Sequence, residues 1–321
     1  RAFAAELGVA RSTVIGAYEQ LEAEGYVEGR RGAGVFVSLA PEAALPPAAP
    51  TPALPATPPA ARVLRPTFRP GLPDMRLFPQ DRWARAVAKS LREVGAGMMA
   101  PGDPLGTLAL RHALARHLAE WRGLAVEPAN LFVTAGAGGA LDLTFDALTR
   151  PGDLVALENP GYAVVRAIAE QRGLKVAPIS IDAGGFSVAD LRDLPSPPKL
   201  AVVTPSNQFP LGMAAGVGRR AELLAWAARS GCVVVEDDYD SEFRFSGRPL
   251  PALASAPGEA QVVYVGTLSK VFSPGLRIGY LAAPPALATP FRRAVARFGA
   301  RASGFPQAPL AEFIASGDFA R

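Results

Sequence analysis

Short apolar segments that recur between longer helical patterns most constrain the fold of this chain. Each is four or five residues long and rich in Val, Leu or Ile, which is typical of buried strands. Strands that alternate with helices predict an α/β domain with a mostly parallel sheet. Because such sheets bind ligands beyond the carboxyl ends of their strands, the residues after each segment are candidates for a site. The six predicted strands are 131–134, 154–157, 200–204, 233–236, 262–266 and 278–282.

Composition limits the class of protein. The 321 residues, 49% hydrophobic and 19% charged, can form one large and one small globular domain with a sizeable core. No apolar run approaches the ~18–20 residues of a membrane span. The start, RAFAAELG, has neither a secretory leader nor an initiator Met. We therefore expect a cytoplasmic protein and a chain that is a fragment.

The cysteine, the histidines and the net charge indicate which disulfides, metal sites and nucleic-acid contacts can be expected. The single cysteine, Cys232, cannot form an intrachain disulfide, and its place before a predicted strand indicates a buried thiol. His112 and His117 have no companions at metal-ligand spacing, so no metal site is expected. The net charge of +4 permits contact with nucleic acid without demonstrating it.

Two distant segments carry complementary chemistry. GTLSKVFSPGLR (266–277) contains Lys270, and VVVEDDYDSEF (233–243) brings Asp237 and Tyr239 to the end of a predicted strand. A lysine amine forms a Schiff base with an aldehyde cofactor. Pyridoxal phosphate also needs a carboxylate beside its pyridinium nitrogen, so that the ring can withdraw electrons. Together, and in this order, the segments resemble the fold-type I pyridoxal-phosphate aminotransferases.

That resemblance implies a role for each residue near the cofactor ring. Lys270 is the expected Schiff-base lysine. Asp237 is the expected partner of the pyridine nitrogen, with the adjacent Asp238 as the alternative. Tyr162 is expected to stack on the ring, and Tyr239 to donate a hydrogen bond to the phenolic oxygen.

The cofactor phosphate is expected to bind donors from two segments. TAGAGGALDL (134–143) follows a predicted strand and opens a helix, so its backbone amides, notably those of Ala137 and Gly138, can face a phosphate. The second segment adds two hydroxyls and a guanidinium, a combination suited to phosphate: Thr267, Ser269 and Arg277.

One departure from the aminotransferase pattern lies in TPSNQFPLG (204–212). Aminotransferases usually carry, immediately before the second Pro, an Asn that bonds the phenolic oxygen. This chain has Phe209 there, and Asn207 is the candidate replacement. The departure argues against ordinary aminotransferase activity.

The N-terminal residues predict helix, turn, helix and a glycine-rich hairpin. AAELGVARSTVIGAYEQLEAEGYVEGRRGAGVFVS (4–38) resembles the second half of a GntR-type winged helix-turn-helix. The start of a recognition helix reaches base edges, and the wing contacts phosphates. The candidate DNA-binding residues at these two places are Arg11, Ser12, Thr13, Arg30 and Arg31.

Two further expectations concern the second helix, at about 11–24. Val14, Tyr18 and Leu21 stand at i, i+4 and i+7 and should face a core together. Ala10 precedes this helix where GntR relatives commonly have Ser, and the missing cap should cost ~1 kcal/mol.

The order of the segments predicts three regions. We expect a partial winged helix-turn-helix in 1–38, a linker in 39–70, and an aminotransferase-like domain in 71–321 whose C-terminal small domain is incomplete. Ten prolines in 41–70 predict a semi-rigid, extended tether. Such a fusion is the layout of the MocR family of transcriptional regulators.

The MocR resemblance implies a homodimer that binds double-stranded operator DNA. It would hold pyridoxal phosphate and sense an amine, an amino acid or the cofactor itself. Two alternatives stay open: an aminotransferase with a vestigial DNA-binding head, and a fragment without stable activity.

Overall fold

The computed structural model describes residues 2–38, 71–243, 250–299 and 302–319. The predicted linker, 39–70, lies outside the described residues. The chain divides into two units, Arg1–Arg69 and Pro70–Arg321, which are taken separately below.

The first unit contains two helices and a hairpin. Its helices are α1 (Ala2–Glu6) and α2 (Arg11–Ala23), and its strands, β1 (Val27–Arg30) and β2 (Gly34–Val37), pair antiparallel. Ala10 precedes α2 and makes no side-chain cap, because its methyl group cannot accept a hydrogen bond. The expectation that Tyr18 and Leu21 are buried is wrong: they are 38% and 37% exposed, because the described elements of this unit leave that face uncovered.

The second unit is built on an eight-stranded sheet in the order β3-β10-β9-β8-β7-β4-β5-β6. The strands are β3 (Leu131–Thr134), β4 (Leu154–Asn159), β5 (Lys175–Asp182), β6 (Gly185–Phe186), β7 (Leu200–Val203), β8 (Val233–Asp238), β9 (Val262–Thr267) and β10 (Gly279–Ala282). The helices are α3 (Gln80–Glu93), α4 (Leu108–Arg122), α5 (Gly136–Leu148), α6 (Ala163–Gln171), α7 (Val188–Arg192), α8 (Val217–Ser230), α9 (Ala288–Phe298) and α10 (Gln307–Ala315).

The sheet is mostly parallel, as predicted. Strands β4, β5, β7, β8 and β9 form the parallel ladders, whereas β10 runs antiparallel between β9 and β3. Gly279, at the start of β10, therefore pairs with the last residues of both neighbours, Thr134 and Thr267. A segment that precedes β10 thus reaches the same sheet edge as segments that follow the parallel strands.

Strand β5 was missed by the sequence analysis. Pro178 interrupts its apolar pattern and lacks the amide hydrogen that a central strand would use. In the structure Pro178 pairs with Leu157 of β4 on one side only, because β6 pairs with β5 at Ile181 and Asp182 alone. Proline is tolerated at such an open edge.

Helices cover both faces of the sheet because successive strand side chains point in opposite directions. Val263 and Val265 of β9 pack with α5, α6 and α9, whereas Tyr264 between them packs with α3, α4 and α10. Helices α7 and α8 cover the remaining strands on the second face. Cys232 is buried before β8, and burial raises the pKa of its thiol to about 12.

Local signals set the helix ends. The Thr107 hydroxyl caps α4 by accepting from the Leu110 amide, and Gly123 ends that helix in the left-handed conformation.

None of the helices in the described residues is long and apolar enough to cross a bilayer.

Candidate cofactor site

The candidate site lies at the carboxyl edge of the large sheet. The segments that follow β3, β4, β7, β8 and β9 meet there, together with the segment that precedes β10. All the residues predicted to bind the cofactor lie on these segments. Parallel strand direction is the reason, because it brings sequence-distant strand ends to one edge.

Asp237, the penultimate residue of β8, has a buried carboxylate. It is 5% exposed, and its Oδ1 has no hydrogen-bond partner among the described residues. Burial, reinforced by Asp238, Glu158 and Asp240, raises the pKa of Asp237 to about 7, whereas the charge of Lys270 opposes this rise. A cationic N–H donor would satisfy the free oxygen, so Asp237 fits a protonated pyridine nitrogen.

The neighbouring Asp238 is already engaged on the opposite face of β8. Its Oδ2 lies 2.8 Å from Nε of Arg122 and accepts hydrogen bonds from the Tyr264 hydroxyl at 2.6 Å and from Ser241 at 2.7 Å. Each aspartate has an Oδ1 atom without a hydrogen-bond partner among the described residues, but only Asp238 is already paired with a cation, through its Oδ2. The arrangement favours the predicted role for Asp237.

Arg122 is a buried residue that the sequence analysis missed. Its guanidinium is 3% exposed and lies 3.8 Å from Glu236 Oε1 as well as beside Asp238. It also donates to Ser206 Oγ at 2.8 Å and to the Leu250 carbonyl at 2.6 Å. Arg122 therefore compensates two buried carboxylates and joins three segments behind the site.

Lys270 follows β9 and is partly exposed. Its Nζ donates to the carbonyl oxygen of Gly71 at 2.7 Å. The charge of Lys270 lowers the pKa values of both Asp237 and Asp240, against the larger effect of burial. The structure thus brings the predicted lysine and the predicted carboxylate into one electrostatic environment.

The predicted phosphate-binding segments are adjacent. A Cβ on Gly279 would lie 2.4 Å from the carbonyl carbon of Gly136, so β10 passes directly beside the start of α5, where Ala137 and Gly138 lie. Thr267 ends the neighbouring strand, and its hydroxyl accepts from the Ser269 amide at 3.2 Å. Close packing of β10 against α5 therefore requires glycine at position 279.

Arg277 precedes β10 at this same edge. It is exposed and adopts a left-handed backbone conformation with φ 53°. Among the hydrogen bonds and ion pairs of the described residues, none involves its guanidinium. Its charge lowers the pKa of Tyr162, although burial and Asp237 raise that pKa overall. Arg277 is thus available to an anion near the start of α5.

Three aromatic rings line the site in a row. Phe209 lies edge-on to Tyr162, with ring centroids 6.1 Å apart, and edge-on to Tyr239, with centroids 6.0 Å apart. Burial and the nearby carboxylates raise the pKa of Tyr239, which keeps its hydroxyl neutral and able to donate. Asn207 does not join this row: its Nδ2 donates to Asp240 Oδ2 at 2.7 Å, so its predicted role in place of Phe209 stays a prediction.

Glu158, also missed by the sequence analysis, fastens the segment that carries Phe209. Its carboxylate accepts from the Thr204 amide at 2.8 Å, the Thr204 hydroxyl at 2.5 Å and Gln208 Nε2 at 3.0 Å. Gln208 also donates to the Pro160 carbonyl at 2.9 Å. Glu158 thereby ties the end of β4 to the segment after β7, and its only sequence signal was an acidic residue at the end of a buried strand.

Comparisons with known proteins agree with this geometry. Residues 74–319 match the family model for aminotransferase class I and II. The chain is 37% identical, over its whole length and 67% of the relative, to the probable rhizopine catabolism regulatory protein MocR of Rhizobium meliloti. It is 33% identical, over its whole length and 68% of the relative, to the HTH-type pyridoxine biosynthesis transcriptional regulator PdxR of Corynebacterium glutamicum. The chain thus spans about two thirds of these curated relatives.

A solved structure matches the second unit. The α-aminoadipate aminotransferase of Thermus thermophilus, complexed with N-(5'-phosphopyridoxyl)-L-leucine, is 30% identical with a TM-score of 0.70, over 78% of this chain and 64% of that one. The second unit therefore has the fold of the fold-type I aminotransferases. The chain belongs to the aminotransferase class I and II family and, among its members, to the MocR-type HTH transcriptional regulators.

Asp237→Asn should change how stability depends on pH in the cofactor-free protein. Burial raises the pKa of Asp237 from 3.8 to about 7. The favourable contribution of its protonated form to the free energy of unfolding is therefore complete below pH 3.8 and is lost as the pH rises through 7. At pH 8 the neutral variant should be more stable than wild type, by up to about 4 kcal/mol. Urea unfolding at pH 5 and pH 8 measures this difference.

The exposed Asp193, at the end of α7, provides the control for this experiment. Asp193→Asn should leave the pH profile parallel to that of wild type. A parallel profile for Asp237→Asn as well would show that the Asp237 carboxylate is not buried as described.

Proposed function

We propose that this protein is a DNA-binding transcriptional regulator that holds pyridoxal phosphate on Lys270 and senses an amine through it. When bound, pyridoxal phosphate supplies an aldehyde that reacts reversibly with amines and a pyridinium ring that withdraws electrons. The observation that carries the proposal is the buried, unpartnered Oδ1 of Asp237 in the same electrostatic environment as Lys270. Burying an unpaired carboxylate away from water costs free energy unless a cation pairs with it.

Each residue around the site would contact a different part of the cofactor. Lys270 supplies the amine, and Asp237 faces the pyridine nitrogen. Tyr162 lies against the ring, and Tyr239 donates to the phenolic oxygen. The phosphate is held by amides at the start of α5, two hydroxyls and a guanidinium: Ala137, Gly138, Thr267, Ser269 and Arg277.

The first unit supplies the proposed DNA contacts. Arg11, Ser12 and Thr13 are exposed in the first turn of α2, where a recognition helix meets base edges. Arg30 ends β1, and its guanidinium lies 5.0 Å from the centroid of the Phe36 ring, while Arg31 begins the hairpin turn. These two arginines are the proposed phosphate contacts, and the protein would bind its operator as a homodimer.

A sensor fits the site better than an efficient enzyme does. Phe209 occupies the place of an amide that would hold the phenolic oxygen, which leaves that interaction mainly to Tyr239. One neutral hydrogen bond contributes only about 0.5–1.5 kcal/mol. Reversible exchange of amines requires little positioning, whereas turnover requires controlled proton transfer. Because the chain has both the lysine and the aspartate that such chemistry needs, a transaminase is the second candidate.

Cofactor binding should depend on Lys270. Borohydride treatment of the pyridoxal-phosphate-loaded protein should leave the pyridoxyl group on Lys270. Lys270→Ala should abolish this adduct, because among the described residues Lys270 is the lysine whose charge acts on Asp237. Peptide mass spectrometry reads out the position. Lys199→Ala, at an exposed lysine, is the matched control and should retain the adduct. An adduct on another lysine would refute the assignment.

Substitutions in the wing and in the recognition helix should change DNA binding in different ways. Arg31→Ala should weaken binding to all sequences and reduce the slope of log K against log salt by ~0.9, as expected for one lost phosphate contact. Thr13→Ala should instead change the preferred base. Binding-site selection and salt titration measure the two effects, with the exposed Arg229→Ala as a control that should alter neither. Equal loss on every sequence for both variants would argue against a recognition helix.

An amine effector should alter DNA affinity without sustained turnover. A panel of amines and amino acids is added to the loaded protein, and cofactor absorbance, DNA affinity and keto-acid release are measured together. If the protein is a regulator, cofactor absorbance and DNA affinity should both shift, and at most one equivalent of keto acid should be released. Rapid multiple turnover with unchanged DNA affinity would favour the transaminase.

A further inference from the structure

The side chain of Asn207 points to the segment that follows β8. Its Nδ2 donates a hydrogen bond to Oδ2 of Asp240 at 2.7 Å, and both residues are half-buried. At the other end of the amide, a Cβ on Gly212 would lie 3.8 Å from Oδ1 of Asn207. The amide oxygen, which can only accept, therefore faces the backbone of its own loop, and the donor nitrogen is bonded to the neighbouring segment.

The segment that carries Asn207 is held on both sides of this residue. Ser206 Oγ accepts a hydrogen bond from Nη2 of Arg122 at 2.8 Å, and Gln208 Nε2 donates to Glu158 at 3.0 Å. Both of these partners are buried. Because its two neighbours in the chain are fixed in this way, Asn207 is a firm attachment point for a less constrained segment.

The hydroxyl of Tyr239 has no attachment of its own. No hydrogen bond between described residues involves this hydroxyl, and the Tyr239 ring lies edge-on to Phe209 with centroids 6.0 Å apart. Tyr239 directly follows β8, so the backbone of residues 239–243 determines where its hydroxyl lies.

Two polar side-chain contacts join residues 239–243 to distant parts of the described chain. Glu242 Oε1 lies 3.4 Å from Nε2 of His117 on α4, and Asp240 accepts from Asn207 at 2.7 Å. The contact with Asn207 is the shorter of the two, and it is made by the residue next to Tyr239. Asn207 therefore fixes the part of this segment from which the Tyr239 ring extends.

The charge of Asp240 strengthens this contact. Burial raises the pKa of Asp240 to about 6, whereas the hydrogen bond from Asn207 lowers it and limits the rise. At neutral pH and above, the carboxylate is therefore mostly ionised. A hydrogen bond to an ionised acceptor is roughly twice as strong as one between neutral groups.

We propose that Asn207 is a positioning residue for Tyr239. By holding Asp240, it fixes the backbone turn from which the Tyr239 hydroxyl donates to the phenolic oxygen of bound pyridoxal phosphate. Asn207 thus acts through Asp240 without contacting the cofactor itself. This inference rests on the proposed function, because it requires the contact between Tyr239 and the cofactor.

The absorbance of the full chain loaded with pyridoxal phosphate, titrated with pH, tests this role. A donor stabilises the ionised phenolic oxygen and eases release of the proton that this oxygen shares, which lowers the pH at which the absorbance changes. Tyr239→Phe should raise that pH by roughly half a unit to one unit, the equivalent of one hydrogen bond. Asn207→Ala should raise it by a smaller amount, and the double variant should match Tyr239→Phe alone.

The double variant distinguishes an indirect from a direct action of Asn207. A further rise when Asn207→Ala is added to Tyr239→Phe would show direct contact with the cofactor and overturn the inference, as would Asn207→Ala without any shift. Asn207→Ser replaces Asn207→Ala if the alanine variant does not fold. The matched control is Asn130→Ala, at an exposed asparagine whose Oδ1 lies 3.4 Å from Nη2 of Arg292, and it should leave the titration unchanged.

Hydrogen–deuterium exchange in the cofactor-free protein tests the anchoring separately. The Phe243 amide donates to the Asp240 carbonyl at 2.9 Å, so exchange at Phe243 reports whether the turn is held. Asn207→Ala should speed this exchange by at least about threefold, whereas Asn130→Ala should not change it. Unchanged exchange in Asn207→Ala would contradict the inference.

The two experiments also separate this inference from the proposed function. A wild-type protein that takes up no pyridoxal phosphate would overturn both. If the wild-type protein takes up the cofactor and only the expected shifts in the titration are absent, the positioning role of Asn207 is wrong and the proposed function stands.

Discussion

Three consecutive buried carboxylates at the end of β8 are the constraint on which the site depends. Successive strand residues point to opposite faces, so Glu236 and Asp238 lie beside Arg122 on one face and Asp237 points to the other, where no described residue pairs with its Oδ1. Without Arg122 the first face would hold two uncompensated charges, an arrangement that costs several kcal/mol. The arginine thus allows β8 to carry, on its other face, a buried aspartate whose Oδ1 has no hydrogen-bond partner among the described residues.

Much of the second unit could be predicted from sequence because its signals are local. Apolar runs predicted β3, β4, β7, β8, β9 and β10, and the residues at the ends of these runs led to the prediction that Asp237 and Lys270 act together. The direction of β10 could not be predicted, since an apolar run does not state its orientation. Pro178 concealed β5, because proline is a strand breaker except at an edge.

The supporting residues escaped prediction for a different reason. Arg122 and Asp238 are 116 positions apart, and Glu158 and Gln208 are 50 apart, so only the folded topology shows that they touch. The burial of Tyr18 and Leu21 was wrongly predicted because helical periodicity indicates which residues share a face, not what covers it. Periodicity and strand ends therefore predicted the candidate site residues, whereas the contacts that hold those residues became visible only in the folded structure.

The pairing of β3 with β10 has a consequence for how the protein is made. In the described sheet, β3 has β10 as its only neighbour, although the two strands lie at opposite ends of the domain sequence. During synthesis, β3 emerges first and has an unpaired apolar edge until residue 282 has left the ribosome. Such late, non-local closure slows folding and exposes an edge prone to aggregation. The same step brings Gly279 against the start of α5, so the two segments predicted to bind phosphate come together only after β10 has been made.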